Sequence, residues 1–100
     1  MDNYKVILSP TAQRDFMGIA EHLNSLPTEE AKLYVEQILF KAEILLTEPT
    51  GCPFIKDSQL RLRGYRVLTI GNHIFLFVIS GKTVEVRRVL FAKRKYERLI

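Results

Sequence analysis

Hydrophobic positions in the first half of the chain recur with the spacing of two amphipathic helices. Ser9 followed by Pro10 predicts an N-cap and the first helical residue, and this helix is expected to end near residues 24–27. Thr28 is predicted to cap a second helix that stops before Pro49. The apolar stripes expected to be buried are Ala12, Phe16, Ile19, Ala20 and Leu23 in the first helix, and Ala31, Val35, Ile38, Leu39, Ala42, Leu45 and Leu46 in the second.

The second half changes to the spacing of strands. Residues 63–70, 73–79 and 83–90 are predicted strands, joined at Gly71-Asn72 and Ser80-Gly81, which are dipeptides that suit tight hairpin turns. A further short strand is predicted over residues 4–8, and residues 50–58 are expected to form an irregular connector. The middle strand of the meander is apolar on both parities, so we expect it to be central and covered on both faces.

These elements predict an α+β fold. A helical hairpin is expected to pack its apolar stripes on an antiparallel sheet that contains a three-strand meander, with a short terminal helix over residues 93–99. The content of 47% hydrophobic and 26% charged residues is typical of a globular protein. With no repeat and no low-complexity tract, residues 1–100 are expected to form a single domain.

Membrane and metal chemistry are not expected. The chain shows no secretory leader, and its longest apolar run, residues 74–79, is too short to cross a bilayer, which favours a reducing cytoplasm. The single cysteine, Cys52, has no Cys or His at metal-ligand spacing and is interpreted as structural. Neither a metal nor a cofactor is therefore predicted.

Positive charge is concentrated in the last forty residues. Residues 61–100 contain ten Lys or Arg against two Glu, a net charge of +8, whereas residues 1–60 contain five basic and nine acidic residues, a net charge of −4. A surface that served only solubility would intersperse the two signs. The segregation indicates that one face binds an anionic partner, either a nucleic acid or an acidic protein segment.

Several short segments, in this order, carry a family resemblance. They are Tyr4-Lys5-Val6, Ser9-Pro10-Thr11-Ala12, Gly64-Tyr65-Arg66-Val67-Leu68, Gly71-Asn72-His73, and Val84-Glu85-Val86-Arg87-Arg88-Val89-Leu90 running into Lys93-Arg94-Lys95-Tyr96. Together with the element order they resemble the RelE/ParE superfamily of bacterial toxins from type II toxin–antitoxin systems. The resemblance spans nearly the whole chain.

The resemblance implies a growth-inhibiting toxin that a cognate antitoxin binds and neutralises, and it implies that the two form a toxin–antitoxin hetero-oligomer. It leaves two mechanisms open. ParE-like members poison DNA gyrase and carry no catalytic set, whereas RelE-like members cleave messenger RNA in the ribosomal A site. The ending that runs from Arg-Arg-Val-Leu to Lys-Arg-Lys-Tyr-Glu-Arg-Leu is closer to the ParE type, so we expect a gyrase poison, with the RNA endonuclease as the alternative.

The RelE-like alternative would need bases, cations and an acid around the scissile phosphate. By resemblance, Arg66 matches the base on the second strand and Arg94 the arginine beyond the last strand. The family's third-strand arginine would fall near Ile74, where this chain has no arginine. The terminal Tyr or His that the family carries is also missing. The candidate catalytic residues of a ribonuclease are therefore Arg66, His73, Arg94 and Tyr96, although His73 also suits a solvated or hydrogen-bonded structural role.

A basic surface is the main functional prediction. Strand alternation places Arg88 in a row with Val84, Val86 and Leu90, where a charge needs a partner. Arg88 is expected to reach past the rim of the sheet or to pair with a carboxylate such as Glu43 or Asp57, unless it joins Arg66 and Arg94 in an anion-binding concavity. Arg87 is expected to form a solvated cross-strand pair with Glu85. The predicted target- or anion-binding residues are Arg63, Arg66, Arg88, Lys93, Arg94 and Lys95.

Overall fold

The computed structural model describes residues 3–91, which form a helical hairpin and a small third helix on a four-stranded sheet. The elements in chain order are β1 (Lys5–Leu8), α1 (Pro10–Asn24), α2 (Thr28–Thr47), a 3₁₀ turn (Pro49–Gly51), α3 (Ser58–Leu62), β2 (Arg66–Ile70), β3 (His73–Ser80) and β4 (Thr83–Phe91). The predicted helix over residues 93–99 lies outside the described residues.

The sheet is mixed, with strand order β1-β4-β3-β2. Strands β2, β3 and β4 form the predicted antiparallel meander. Strand β1 instead pairs parallel to β4, with Val6 opposite Val84, so the sheet is not wholly antiparallel. A parallel pair needs a long crossover, and the helices together with the first two strands of the meander supply it.

The helix boundaries follow from local capping chemistry. Helix α1 starts as predicted, because the Ser9 hydroxyl accepts a hydrogen bond from the Ala12 N–H at 3.1 Å and Pro10 opens the first turn. The prediction that Thr28 caps α2 is wrong, since Pro27 takes the N-cap position without a side-chain hydrogen bond and Thr28 is the first helical residue. Helix α2 ends before Pro49, as expected.

The connector between α2 and β2 is more ordered than its sequence suggests. Asp57 caps α3 by accepting a hydrogen bond from the Leu60 N–H at 2.9 Å. Gly64 ends the helix at a φ of 84°, with the N–H groups of Gly64 and Tyr65 donating to the carbonyls of Arg61 and Leu60. Because this cap occupies residues 63 and 64, β2 begins at Arg66 rather than at the predicted residue 63.

The core lies on both faces of the sheet, which confirms the prediction for the middle strand. Helices α1 and α2 cover one face with a cluster that includes Phe77, and α3 with its flanking residues covers the other with a cluster that includes Leu76. Both of these β3 side chains are fully buried. Burial of apolar surface contributes about 25 cal/mol per Å², so coverage of both faces stabilises β3 strongly.

The predicted apolar stripes of the two helices are only partly buried. Tyr34, which the prediction left out, is buried, whereas Val35 and Leu39 remain 39% and 67% exposed. In α1, Ile19 is buried but Phe16 is 40% exposed. Each helix turns one edge of its stripe to the sheet and the other toward the space between the helices, so periodicity alone overestimates what the sheet covers.

Gly71 is expected to be the glycine least tolerant of substitution. Its φ is 57°, and a Cβ built there would lie 2.7 Å from the Tyr34 ring, whereas Gly81 has a similar φ of 60° and open space around it. We expect Gly81→Ala to lower the free energy of unfolding by about 1 kcal/mol through backbone strain alone, and Gly71→Ala by clearly more. Urea unfolding of both variants measures the difference, and equal losses would contradict the close contact.

Candidate functional site

Arg88 forms an ion pair with a carboxylate, as expected, but the carboxylate belongs to Asp15 of α1 and not to Glu43 or Asp57. The Arg88 Nε lies 2.7 Å from Asp15 Oδ2, and both side chains are mostly buried, at 18% and 16% exposed. The same carboxylate oxygen accepts a hydrogen bond from the Val89 N–H at 3.0 Å. Strand β1 runs beside β4 only as far as Val86. Beyond that residue no strand within residues 3–91 accepts from this edge of β4, and Asp15 instead accepts from the Val89 N–H.

A β-bulge explains why the predicted row of residues on β4 is wrong. Leu76 pairs with Arg88, but the next residue, Phe77, pairs with Val86, which leaves Arg87 as the extra residue. After the bulge the alternation is reversed. Val86 therefore lies in the cluster on the helix side, while Leu90 belongs to the cluster on the opposite face.

Arg87 is held by Glu85 and by an aromatic residue that the sequence did not suggest. Its Nε lies 2.5 Å from Glu85 Oε1, which confirms Glu85 as the partner, but both residues lie on β4, so the pair does not cross between strands. Its guanidinium also donates to the Tyr65 hydroxyl at 3.3 Å. These hydrogen bonds, the one to Tyr65 first, raise the pKa of Arg87 and keep it charged.

Arg66 is tied to the connector that precedes α3. Its Nη1 donates to the carbonyl oxygens of Cys52 at 2.7 Å and Thr50 at 3.2 Å. The guanidinium also stacks on the Phe54 ring, 3.9 Å from the ring centroid. Its positive charge slightly opposes the rise that burial causes in the pKa of the Cys52 thiol, so Cys52 is a protonated core residue at neutral pH.

His73 is a buried core residue, which agrees with its hydrogen-bonded structural interpretation. It is 3% exposed, and its Nδ1 is hydrogen-bonded to the Tyr34 hydroxyl. The rings of His22 and Phe91 pack against it at centroid distances of 5.8 and 4.4 Å. Burial first, and the charge of His22 second, lower the pKa of His73, so its neutral form is favoured.

The described residues do not bring the predicted cations into one concavity. Arg66 on β2 and Arg88 on β4 are separated by β3, and their partners lie at the connector and on α1 respectively. The structure does bring Arg63 and Arg87 together, since each guanidinium carbon lies 5.7 Å from the centroid of the Tyr65 ring. The predicted site residues Lys93, Arg94, Lys95 and Tyr96 lie outside the described residues.

An apolar groove between α1 and α2 is the feature that the sequence analysis missed. Its volume is about 340 Å³. Nearly all of its walls are apolar, and the lining residues are Phe16, Met17, Ile19, Ala20, Leu23, Val35, Ile38 and Leu39. Several of them are large and exposed, including Met17 at 69% and Leu39 at 67%. The excess width of the predicted stripes was the signal for this groove.

Metal and membrane chemistry find no support in the described part of the chain. Among residues 3–91 there is no group of three or more His, Cys, Asp or Glu side chains able to hold a metal ion. None of the helices within this range combines the length and apolarity needed to span a bilayer.

Comparison with known proteins decides the family. Residues 6–96 match the family described as the ParE toxin of the type II toxin–antitoxin system, parDE. The chain belongs to this family. It is therefore a toxin of the RelE/ParE superfamily, as its sequence indicated. No curated protein is significantly similar to this ParE-family toxin in sequence.

Solved structures support the fold of this ParE-family toxin. The chromosomal ParDE toxin–antitoxin system from P. aeruginosa has a TM-score of 0.66 at 18% identity, covering 90% of this chain and 97% of the other. The toxin–antitoxin complex RelBE2 from Mycobacterium tuberculosis has a TM-score of 0.54 at 22% identity, covering 89% and 98% respectively. At these identities the likeness shows a shared fold.

The two ion pairs on β4 are expected to differ in their contribution to stability. Asp15→Ala removes the mostly buried carboxylate that accepts from Arg88 and from the Val89 N–H, so we expect the free energy of unfolding to fall by about 3 kcal/mol. Glu85→Ala removes a half-exposed pair and should cost less than about 1 kcal/mol. Chemical denaturation of both variants measures the difference. Similar losses of unfolding free energy would mean that the Asp15–Arg88 pair stabilises the fold no more than the exposed pair does.

Proposed function

We propose that this ParE-family toxin arrests growth in the cytoplasm by poisoning DNA gyrase and does not itself cleave RNA. Family membership gives the toxin role, and the match to a ParE description favours the gyrase mechanism. The basic half of the chain, with its net charge of +8, supplies the cations for binding an anionic partner. A cognate antitoxin neutralises the toxin, as the named complexes ParDE and RelBE2 suggest.

The burial of His73 is the observation that carries this proposal. A ribosome-dependent nuclease of this superfamily would need a cation or a proton-transfer group on the third strand. Strand β3 has the sequence HIFLFVIS, so His73 is its only titratable residue. At 3% exposure, with Nδ1 engaged by Tyr34, its ring is not available to a phosphate or a ribose hydroxyl.

The contacts of Arg66 favour the same conclusion. In the RNA-cleaving alternative this guanidinium would neutralise the scissile phosphate, which requires free donors. Here Nη1 donates to the Cys52 and Thr50 carbonyls and the guanidinium plane stacks on Phe54. A phosphate would have to compete with these two hydrogen bonds, so Arg66 is better suited to holding the connector on β2.

Two assays on the purified toxin separate the mechanisms. We expect it to block supercoiling by purified DNA gyrase, and to leave a message intact in cell-free translation followed by primer extension. His73→Gln, checked for native circular dichroism, should still arrest growth because the ring does no chemistry. Cuts at codon boundaries with unaffected supercoiling would refute the proposal and establish the RNA-cleaving alternative.

The groove between α1 and α2 is proposed as the site where an amphipathic helix of the antitoxin docks. Its walls are almost entirely apolar, and several of them are exposed in the folded toxin. Contiguous apolar patches of this kind on a protein surface mark sites that a partner covers. Helix α1 has 15 residues and is about 22 Å long, so the groove accommodates roughly four turns of a docked helix. Helix-in-groove recognition uses such apolar walls.

Two neighbouring residues of α2 provide a matched test of this docking site. Leu39 lines the groove and is 67% exposed, whereas Phe40 is 76% exposed and lies outside the groove lining. We expect Leu39→Asp to weaken antitoxin binding at least about ten-fold, because it places a charge in the apolar contact, while toxicity without antitoxin persists. Phe40→Asp should change antitoxin affinity little in the same titration. Equal effects of the two variants would place the antitoxin elsewhere.

A further inference from the structure

A cluster of basic residues surrounds α3 and the start of β2, on the side of the fold away from the helical hairpin. We call it the α3–β2 corner and define it by Phe54, Lys56, Arg61, Leu62, Arg63 and Arg66. Backbone hydrogen bonds from Ile55 to Tyr65 and from Val67 to Pro53 place the connector along the outer edge of β2. The corner buries its inner residues, Ile55, Leu60 and Tyr65, against the face of the sheet opposite α1 and α2.

The positive charge of the corner is not neutralised by the described part of the chain. The single acid between Phe54 and Arg66 is Asp57, and its carboxylate caps α3. Arg61 donates to the Lys56 carbonyl, and neither ion pair among residues 3–91 involves a corner residue. Three arginines and a lysine therefore leave an excess of positive charge at this surface.

The corner is also held rigidly, which suits recognition. The cap at Gly64, with its hydrogen bonds back to Leu60 and Arg61, sets the direction in which the chain leaves α3. Arg66 is fixed by two carbonyls and the Phe54 ring, and Arg63 lies over Tyr65. Side chains that are ordered before binding lose less conformational entropy when a partner arrives.

Leu62 decides the chemistry of the partner. It is 88% exposed, more than any other large apolar side chain in residues 3–91, and it lies between Arg61 and Arg63. A nucleic acid backbone would satisfy the arginines but would gain little from a leucine, and Arg66 already covers one face of the nearby Phe54 ring, where a base would stack. An acidic protein segment that carries an apolar side chain matches both features.

We propose that the α3–β2 corner docks an acidic, apolar-anchored segment of the protein that the toxin poisons. This inference rests on the proposed function, in which that protein is DNA gyrase. The antitoxin groove lies on the helix side of the sheet and the corner on the opposite side, so the two contacts use separate surfaces. Complementary charge speeds and orients docking, and Leu62 supplies the apolar anchor.

Matched pairs of exposed residues test the corner. The test variants are Leu62→Ser and Arg63→Glu, and the controls are Leu33→Ser, at a leucine 65% exposed on α2, and Arg14→Glu, at an exposed arginine on α1. Growth arrest without antitoxin, binding to purified gyrase at low and high salt, and binding to the antitoxin are measured for each. Thermal unfolding confirms that each variant is folded, and no change is expected at such exposed positions.

We expect both corner variants to weaken gyrase binding about ten-fold or more, to relieve growth arrest and to keep antitoxin affinity, while the controls behave as wild type. The Arg63→Glu loss should shrink at high salt. Wild-type toxicity from both corner variants would overturn the proposal. It would also be overturned if the variants lost antitoxin binding and kept gyrase binding, because the corner would then belong to the antitoxin interface. If the wild-type toxin itself fails to bind gyrase, the proposed function is wrong and the corner proposal fails with it.

Discussion

Burial of strand β3 on both faces is the constraint on which the rest of this structure depends. Phe77 and Leu76 point to opposite faces and are both fully buried, so each face must be covered. The helical hairpin covers one face. The connector between α2 and β2, residues 48–65, covers the other by folding into α3. The first five residues of this strand are buried, and its single titratable residue, His73, is part of the core.

Coverage by so small a chain is incomplete, and its gaps are where partners are proposed to bind. The sheet covers only part of the apolar stripe of each helix. The remaining apolar residues of α1 and α2 line an open groove. On the opposite face, α3 is one turn and a half long, and its last residue, Leu62, extends beyond the sheet into solvent. A toxin must be recognised by an antitoxin and by a target, and two exposed surfaces on opposite faces allow different chemistry for each.

The basic residues concentrated in the second half of the chain have more than one structural role. Arg88 and Asp15 come from opposite halves of the chain and form a mostly buried anchor between β4 and α1. Arg87 joins Glu85 and Tyr65, and Arg66 satisfies connector carbonyls. These cations therefore contribute to packing as well as to the surface, while those of α3 and the following turn keep a net positive field toward solvent.

The sequence by itself determined the α+β class, the helical hairpin, the meander and the family, because these follow from local periodicity, turn dipeptides and short motifs. It could not determine the parallel pairing of β1 or the Asp15 partner of Arg88, which depend on contacts between residues more than seventy positions apart. Nor could it determine the bulge at Arg87, which depends on how β3 and β4 align. The burial of Tyr34 could not be predicted either, since it depends on how α2 is rotated about its own axis relative to the sheet. Local patterns specify which face of an element is apolar, but only packing decides which part of that face is covered.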